Sequence, residues 1–392
     1  MFACAFNTNI DHIVEVAGSS VERACRSLAS CDALEDETVG AQCIKDETDV
    51  LAALMYCMRT GTGREVLMDD YAPVANLKLS GTDRLGGNAA NTAGGLSVLG
   101  CTSILNVAAP STRQMALIPN ERLSVPLDEP SDVELVHTVL EFRQGDVLRV
   151  GEKSVRAKES DRLILTYDPL NTMMVVNDAF ERTLLEGLGE VSAVLASGLH
   201  LIRKTHDGRR SIALLKEIYG ARPELKVHVE LGSPVNLEAM MDTVRSLRGV
   251  LFSISMNEHE AMEIFGGGWS EQHTRERMHR FAEHMDVHTL CIHSTHVVYC
   301  ISREPSLAVR AAELGARCAG LLALHGRLVA QRPDIALPWS AAGVRSISKL
   351  STLSWDEHSE VFVPAHRVEK VATTTGLGDA FTAGFLSVLG SA

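Results

Sequence analysis

Gly376-Leu377-Gly378-Asp379, near the end of the chain, joins backbone freedom to a carboxylate. The segment before it, HRVEKVATTT, carries β-branched residues as an extended stretch would, and Ala380, Phe381, Ala383, Phe385 and Leu386 follow at helical spacing. Two glycines at such a junction let the chain turn tightly and aim its N–H groups at one spot. The positive end of the helix dipole points there too, so the turn is a site for an anion. Asp379, at the opening of the helix, would lie beside a bound phosphoryl group, where a carboxylate can orient an attacking hydroxyl and accept its proton. The alternative is a glycine turn with Asp379 as an ordinary N-cap.

Other polar residues fall at the ends of apolar runs. MFACAFNTNID reads as one short strand running into Asn7, Asn9 and Asp11, where side chains can receive hydroxyls or close an Asx turn. Gly86 and Gly87 let a ligand approach the backbone beside the Asn88 amide, while the small residues after them suit close packing. Glu65, in a glycine-rich bend, reads as a solvated loop carboxylate, and His137 shares a strand face with Glu141 in ELVHTVLEF. In KVHVELGS the period of two puts His228 and Glu230 on one face. Asn257 ends a strand and Glu260 follows three residues later, the spacing of a capping box. Two such carboxylates at one sheet edge also suit water-mediated Mg2+. His293 and His296 lie within LCIHSTHVVYCIS, read as a hairpin or a continuous strand.

The elements that must position these residues change character along the chain. Residues 19–60 read as helices, SSVERACRSLASCDALED and DETDVLAALMYCMRTG, with Thr48 or Asp49 as N-cap of the second and Gly61 after its end. Residues 120–170 are β-rich, and from 190 the rhythm becomes βαβ, which implies an α/β fold with a mainly parallel sheet. The net charge of −13 argues against nucleic acid or an anionic membrane as partner. Nine scattered cysteines with no CxxC spacing suggest reduced thiols, and no apolar run reaches the roughly 18 residues of a membrane span, so the expected address is the cytoplasm.

Taken together and in this order, NTNID at 7–11, GGNA at 86–89, HVE at 228–230, NEHE at 257–260 and GLGD at 376–379 resemble the ADP-dependent glucokinase and phosphofructokinase family of ribokinase-like sugar kinases. The resemblance implies a ribokinase-like large domain over 1–11, 85–119 and 190–392, and a discontinuous α+β lid over 12–84 and 120–189. It implies Asp379 as catalytic base and the amides of Gly376, Leu377 and Gly378 as anion hole. Asn9, Asp11, Glu65, Gly87, Asn88 and His137 would hold the sugar. Asn257 and His293 would approach the nucleotide, and Glu230 and Glu260 would organise Mg2+ through water.

The implied reaction moves the β-phosphoryl of ADP to a sugar hydroxyl, a step of glycolysis. Where a phosphofructokinase would place basic residues for the sugar phosphate, this chain has Leu135 and Asp168. The expected acceptor is therefore glucose, with fructose 6-phosphate or both as the alternative. An ATP-using ribokinase-type kinase and a non-catalytic sugar or nucleotide sensor are the other readings. The expected partners are sugar and ADP alone, for a monomer or weak homo-oligomer.

Overall fold

The computed structural model describes residues 1–27, 44–119, 121–329, 337–353, 355 and 357–391. Its strands run β1 (Phe2–Ala5), β2 (Asn9–Glu15), β3 (Arg64–Leu67), β4 (Thr82–Gly86), β5 (Ser103–Leu105), β6 (Leu123–Ser124), β7 (Val136–Phe142), β8 (Val147–Val150), β9 (Lys153–Arg156), β10 (Asp161–Tyr167), β11 (Ala193–Ala196), β12 (Lys226–Glu230), β13 (Ser253–Asn257), β14 (Thr289–His293), β15 (Val297–Ser302) and β16 (Ser359–Pro364).

Two sheets carry the architecture. One has nine strands in the order β16-β15-β14-β13-β12-β11-β1-β5-β6. It is parallel except where β15 runs against β14 and β16, so LCIHSTHVVYCIS is a hairpin. Strand alternation gives this sheet two apolar faces: Ala3, Val194, Val227 and Ile254 enter one core, while Cys4, Leu195, Cys291 and Cys300 enter the other. The second sheet has five strands in the order β3-β10-β7-β2-β4. Only one of its faces is apolar: Val14, Leu140, Phe142, Leu163 and Leu165 pack on Leu51, Leu54, Met55 and Met58 of the helix Glu47–Thr60. That leaves a polar face free for a ligand.

Several expectations change. The opening apolar run is two strands, because Asn7 and Thr8 carry the chain from the large sheet to the small one. The expected boundaries at 11/12 and 84/85 thus fall inside β2 and β4, which pair with each other in the small sheet. β6 pairs with β5 in the large sheet, and Phe180 and Leu184 of the helix Asp178–Glu186 enter a large-sheet core, so neither belongs with the small sheet.

The helix Glu47–Thr60 is capped by Asp46, whose carboxylate accepts from the N–H groups of Thr48 and Asp49, with Gly61 closing its end as expected. The first helix covers Ser19–Ser27; the rest of its expected span lies outside the described residues. HRVEKVATTT is not a strand: β16 ends at Pro364, and among the described residues the exposed stretch after His366 has no neighbouring strand to pair with. The seven described cysteines are free, Cys31 and Cys43 lying outside the described residues. Among the described residues no helix is long and apolar enough to cross a membrane.

Candidate active site

The helix Leu377–Leu389 begins at the glycine turn. Gly376 is its N-cap with φ of 74°, so Asp379 stands at the third helical position and is not the cap. The N–H groups of Leu377, Gly378 and Asp379 lie in the first turn, where a helix offers them no internal acceptor. Two amides grip the Asp379 carboxylate: Asn88 Nδ2 donates to Oδ1 at 2.9 Å and Asn91 Nδ2 to Oδ2 at 3.0 Å. Burial raises this carboxyl, the Asn91 and Asn88 hydrogen bonds oppose that, and the charge of Glu230 adds to it, leaving a pKa of about 6.

Both asparagines come from the helix Asn88–Val98, whose N-cap is Gly87 at φ 86°. A Cβ on Gly87 would lie 2.5 Å from the Asn7 carbonyl oxygen, so only glycine admits this approach. Asn7 Nδ2 in turn donates to Asn88 Oδ1 at 3.2 Å. Asn7 opens the NTNID motif, whereas Asn91 carries no motif of its own and is recognisable only as lying one turn beyond Asn88 on the same helix face.

The polar face of the small sheet supplies the opposite wall. Strand register aligns Arg84, Asp11, His137 and Thr166 in one row across β4, β2, β7 and β10. Asn9 Nδ2 donates to Asp11 Oδ1 at 2.6 Å, and burial raises the Asp11 carboxyl. Glu65 lies on β3 rather than in a loop; it is exposed and accepts from Thr166 Oγ1 at 2.6 Å. His137 is buried with Nε2 2.9 Å from Asp168 Oδ2. Burial opposes its charge, but Asp168 with Glu65 and Asp11 more than offsets that and raises its pKa. Asp168 is itself spent on His137 and on the backbone N–H and side chain of Asn171, and Leu135 is wholly buried. A cleft of about 290 Å3 lined by Asp11, Arg84, Asn91, Thr375, Gly376 and Asp379 joins the two walls.

A third cluster lies at the C-terminal ends of β12, β13 and β14. Glu230, 4% exposed, accepts from Ser255 Oγ and from Thr382 Oγ1 at 2.9 Å, and His293 Nε2 stands 3.2 Å away. Burial raises Glu230, but hydrogen bonds and charge from His228 and His293 reverse this, to about 2. The Asn257–Glu260 capping box is formed: Asn257 Oδ1 accepts from the His259 and Glu260 N–H groups, and the Asn257 N–H donates to Glu260 Oε2. Burial pushes Glu260 up to about 7, with the Asn257 backbone bond opposing and Glu230 adding. His293 packs on the Phe381 ring at 4.7 Å and lies beside Gly378, which ties this cluster to the glycine turn.

Among the described residues no three His, Cys, Asp or Glu side chains gather as a metal cage. Glu230 and Glu260 each already have hydrogen-bond partners at both oxygens, which fits a hydrated Mg2+ held through water better than direct ligation. Of the expected residues, Asp11 and Asp379 line one cleft, His137 and Asn9 bond to its neighbours, and Glu230, Glu260, Asn257 and His293 form the cluster beside the turn.

The family model described as the ADP-specific phosphofructokinase/glucokinase conserved region matches residues 1–388. The ADP-specific phosphofructokinase of Thermococcus kodakarensis is 22% identical over 97% of this chain and 93% of its own. The ADP-dependent glucose/glucosamine kinase of Pyrococcus furiosus is 25% identical over 67% of this chain but only 61% of its own length. A hypothetical ADP-dependent phosphofructokinase from Pyrococcus horikoshii shares the fold, with a TM-score of 0.80 and 18% identity over 100% of this chain and 97% of that one.

Proposed function

The chain belongs to the family of ADP-specific phosphofructokinases and glucokinases, and we propose that it is an ADP-dependent hexose kinase moving the β-phosphoryl of ADP to a hydroxyl of glucose. The observation that carries this reading is the Asp379 carboxylate, held by two amides in the first turn of a helix that opens on Gly376. Its pKa of about 6 leaves it ionised at neutral pH yet basic enough to take a hydroxyl proton as the O–P bond forms. The N–H groups of Leu377 and Gly378 would stabilise the charge on the moving phosphoryl group. Mg2+, when bound, would neutralise phosphate charge, and Glu230 and Glu260 would hold it through water. His293 and Asn257 would border the nucleotide phosphates.

Glucose is favoured over fructose 6-phosphate by the charge of the sugar wall. Asp11 and Glu65 offer carboxylates there, and His137 is matched by Asp168, while Arg84 faces Asp11 in the strand register and Arg162 acts on it through charge. The carboxylates of Asp11, Glu65 and Asp168 repel a phosphate dianion there, whereas sugar hydroxyls find acceptors. Initial rates with Mg2+, pairing ADP or ATP with glucose or fructose 6-phosphate, test both parts. Turnover with ADP and glucose is expected. Turnover with fructose 6-phosphate alone would overturn the sugar assignment, preference for ATP would overturn the donor, and silence with every pair would overturn the enzyme.

A further inference from the structure

His200 has no role in the reaction as built so far. It belongs to the 3-10 turn Leu199–Leu201 that follows β11, directly after Gly198, whose backbone packs on Asn7. The side chain is only 7% exposed, yet among the described residues neither ring nitrogen has a hydrogen-bond partner, and Nδ1 is sealed off. A Cβ added to Gly232, two residues past the end of β12, would lie 2.7 Å from the ring, so the backbone there is shaped around the imidazole. The charges that act on it are Glu65, His137 and Asp168 of the sugar wall and Glu230 of the acidic cluster.

A buried N–H with no acceptor costs more than an unmatched lone pair, so the favoured tautomer carries its proton on Nε2. Burial also holds the ring below its ordinary pKa, with Glu65 opposing and His137 adding, so it is neutral at neutral pH. What the ring offers a ligand is one uncharged N–H donor, which suits a hydroxyl oxygen and gives a phosphate dianion no counter-charge.

We propose that His200 is an acceptor-binding residue, donating from Nε2 to a hydroxyl oxygen of the bound hexose between the sugar wall and Asp379. The proposal rests on the hexose-kinase reading. His200→Leu removes the donor, and His200→Gln restores an amide N–H of similar reach. The expected result is a rise in glucose KM of about tenfold or more in H200L, recovered to within about threefold in H200Q, with the KM for ADP unchanged at saturating glucose. An unchanged glucose KM in H200L, or equal rises in the KM of both substrates, overturns it.

Calorimetric binding of glucose to the unmodified protein and to H200L, without nucleotide, separates this idea from the kinase reading. Weaker glucose binding in H200L supports the residue even where neither protein turns over. Equal affinities overturn the residue and leave the kinase intact. H200Q serves alone if H200L does not fold: affinity near that of the unmodified protein supports the donor, and a loss as large as tenfold overturns it.

Discussion

Asp379 must be ionised to accept a proton, and its environment pulls both ways. Burial lifts the carboxyl to about 6 while the Asn91 and Asn88 amides stabilise the anion. The acid limb of kcat/KM, which reports the free enzyme, is therefore expected to have its midpoint near pH 6. Asp379→Asn keeps the shape and removes the base; kcat should fall by about 10²–10⁴-fold with little change in the KM for ADP. Activity near that of the unmodified enzyme would remove Asp379 from the chemistry. Asn91→Ala is the finer test. Losing one donor to the charged form should move the acid limb upward by about one pH unit, with kcat recovering at higher pH. A pH profile that stays in place would show that Asn91 only packs.

At the scale of elements, the helix Leu377–Leu389 that carries Asp379 is seated by glycines on its neighbours. A Cβ on Gly384 would lie 2.7 Å from the Leu314 carbonyl oxygen and 2.9 Å from the Gly315 backbone, so this helix and Pro305–His325 touch main chain to main chain. Gly95 lets the helix Asn88–Val98 close on the Ala383 side chain, whose Cβ an added Cβ would meet at 2.6 Å. Gly384→Val should cost about 1–3 kcal/mol by overpacking and lower the melting temperature by several degrees. A variant melting with the unmodified protein would mean that the two helices can part without penalty. These helices were legible because glycine turns and small-residue spacing are local signals, and so were Glu230 ending β12 and the Asn257–Glu260 capping box after β13. The row Arg84–Asp11–His137–Thr166 was not, since it exists only through the register of strands far apart in sequence. His200 and Asn91 escaped because burial without a partner and grip on a distant carboxylate leave no local pattern. The opposite error arose before the glycine turn, where β-branched residues suggested a strand that finds no partner among the described residues.

Over the whole molecule, the chain passes between its two sheets through the candidate site itself. Asn7 and Thr8 link β1 to β2, Gly87 joins β4 to the helix bearing Asn88 and Asn91, and Asn171, just after β10, donates from Nδ2 to the Thr8 carbonyl oxygen at 2.9 Å. Any change in the angle between the sheets must therefore move the sugar wall relative to Asp379. Closure can be driven only by a ligand that touches both sides, and it would expel the water that competes with the sugar for the phosphoryl group. One exposed ion pair, Arg203–Asp69 at 2.6 Å, links the turn region after β11 to the segment after β3, but with Asp69 89% exposed it is worth at most about 1 kcal/mol. The ligands, not this bridge, should set the balance. Asp379→Asn permits the measurement, because the proposed substrates can then sit together without reacting. Small-angle scattering of that variant should show the radius of gyration falling when glucose and ADP are both present, toward the roughly 21 Å of a compact chain of this length, and by less with either alone. A radius unmoved by both would mean that the cleft between Asp11 and Asp379 is already in its reacting form, and that water is kept out by the ligands' own fit.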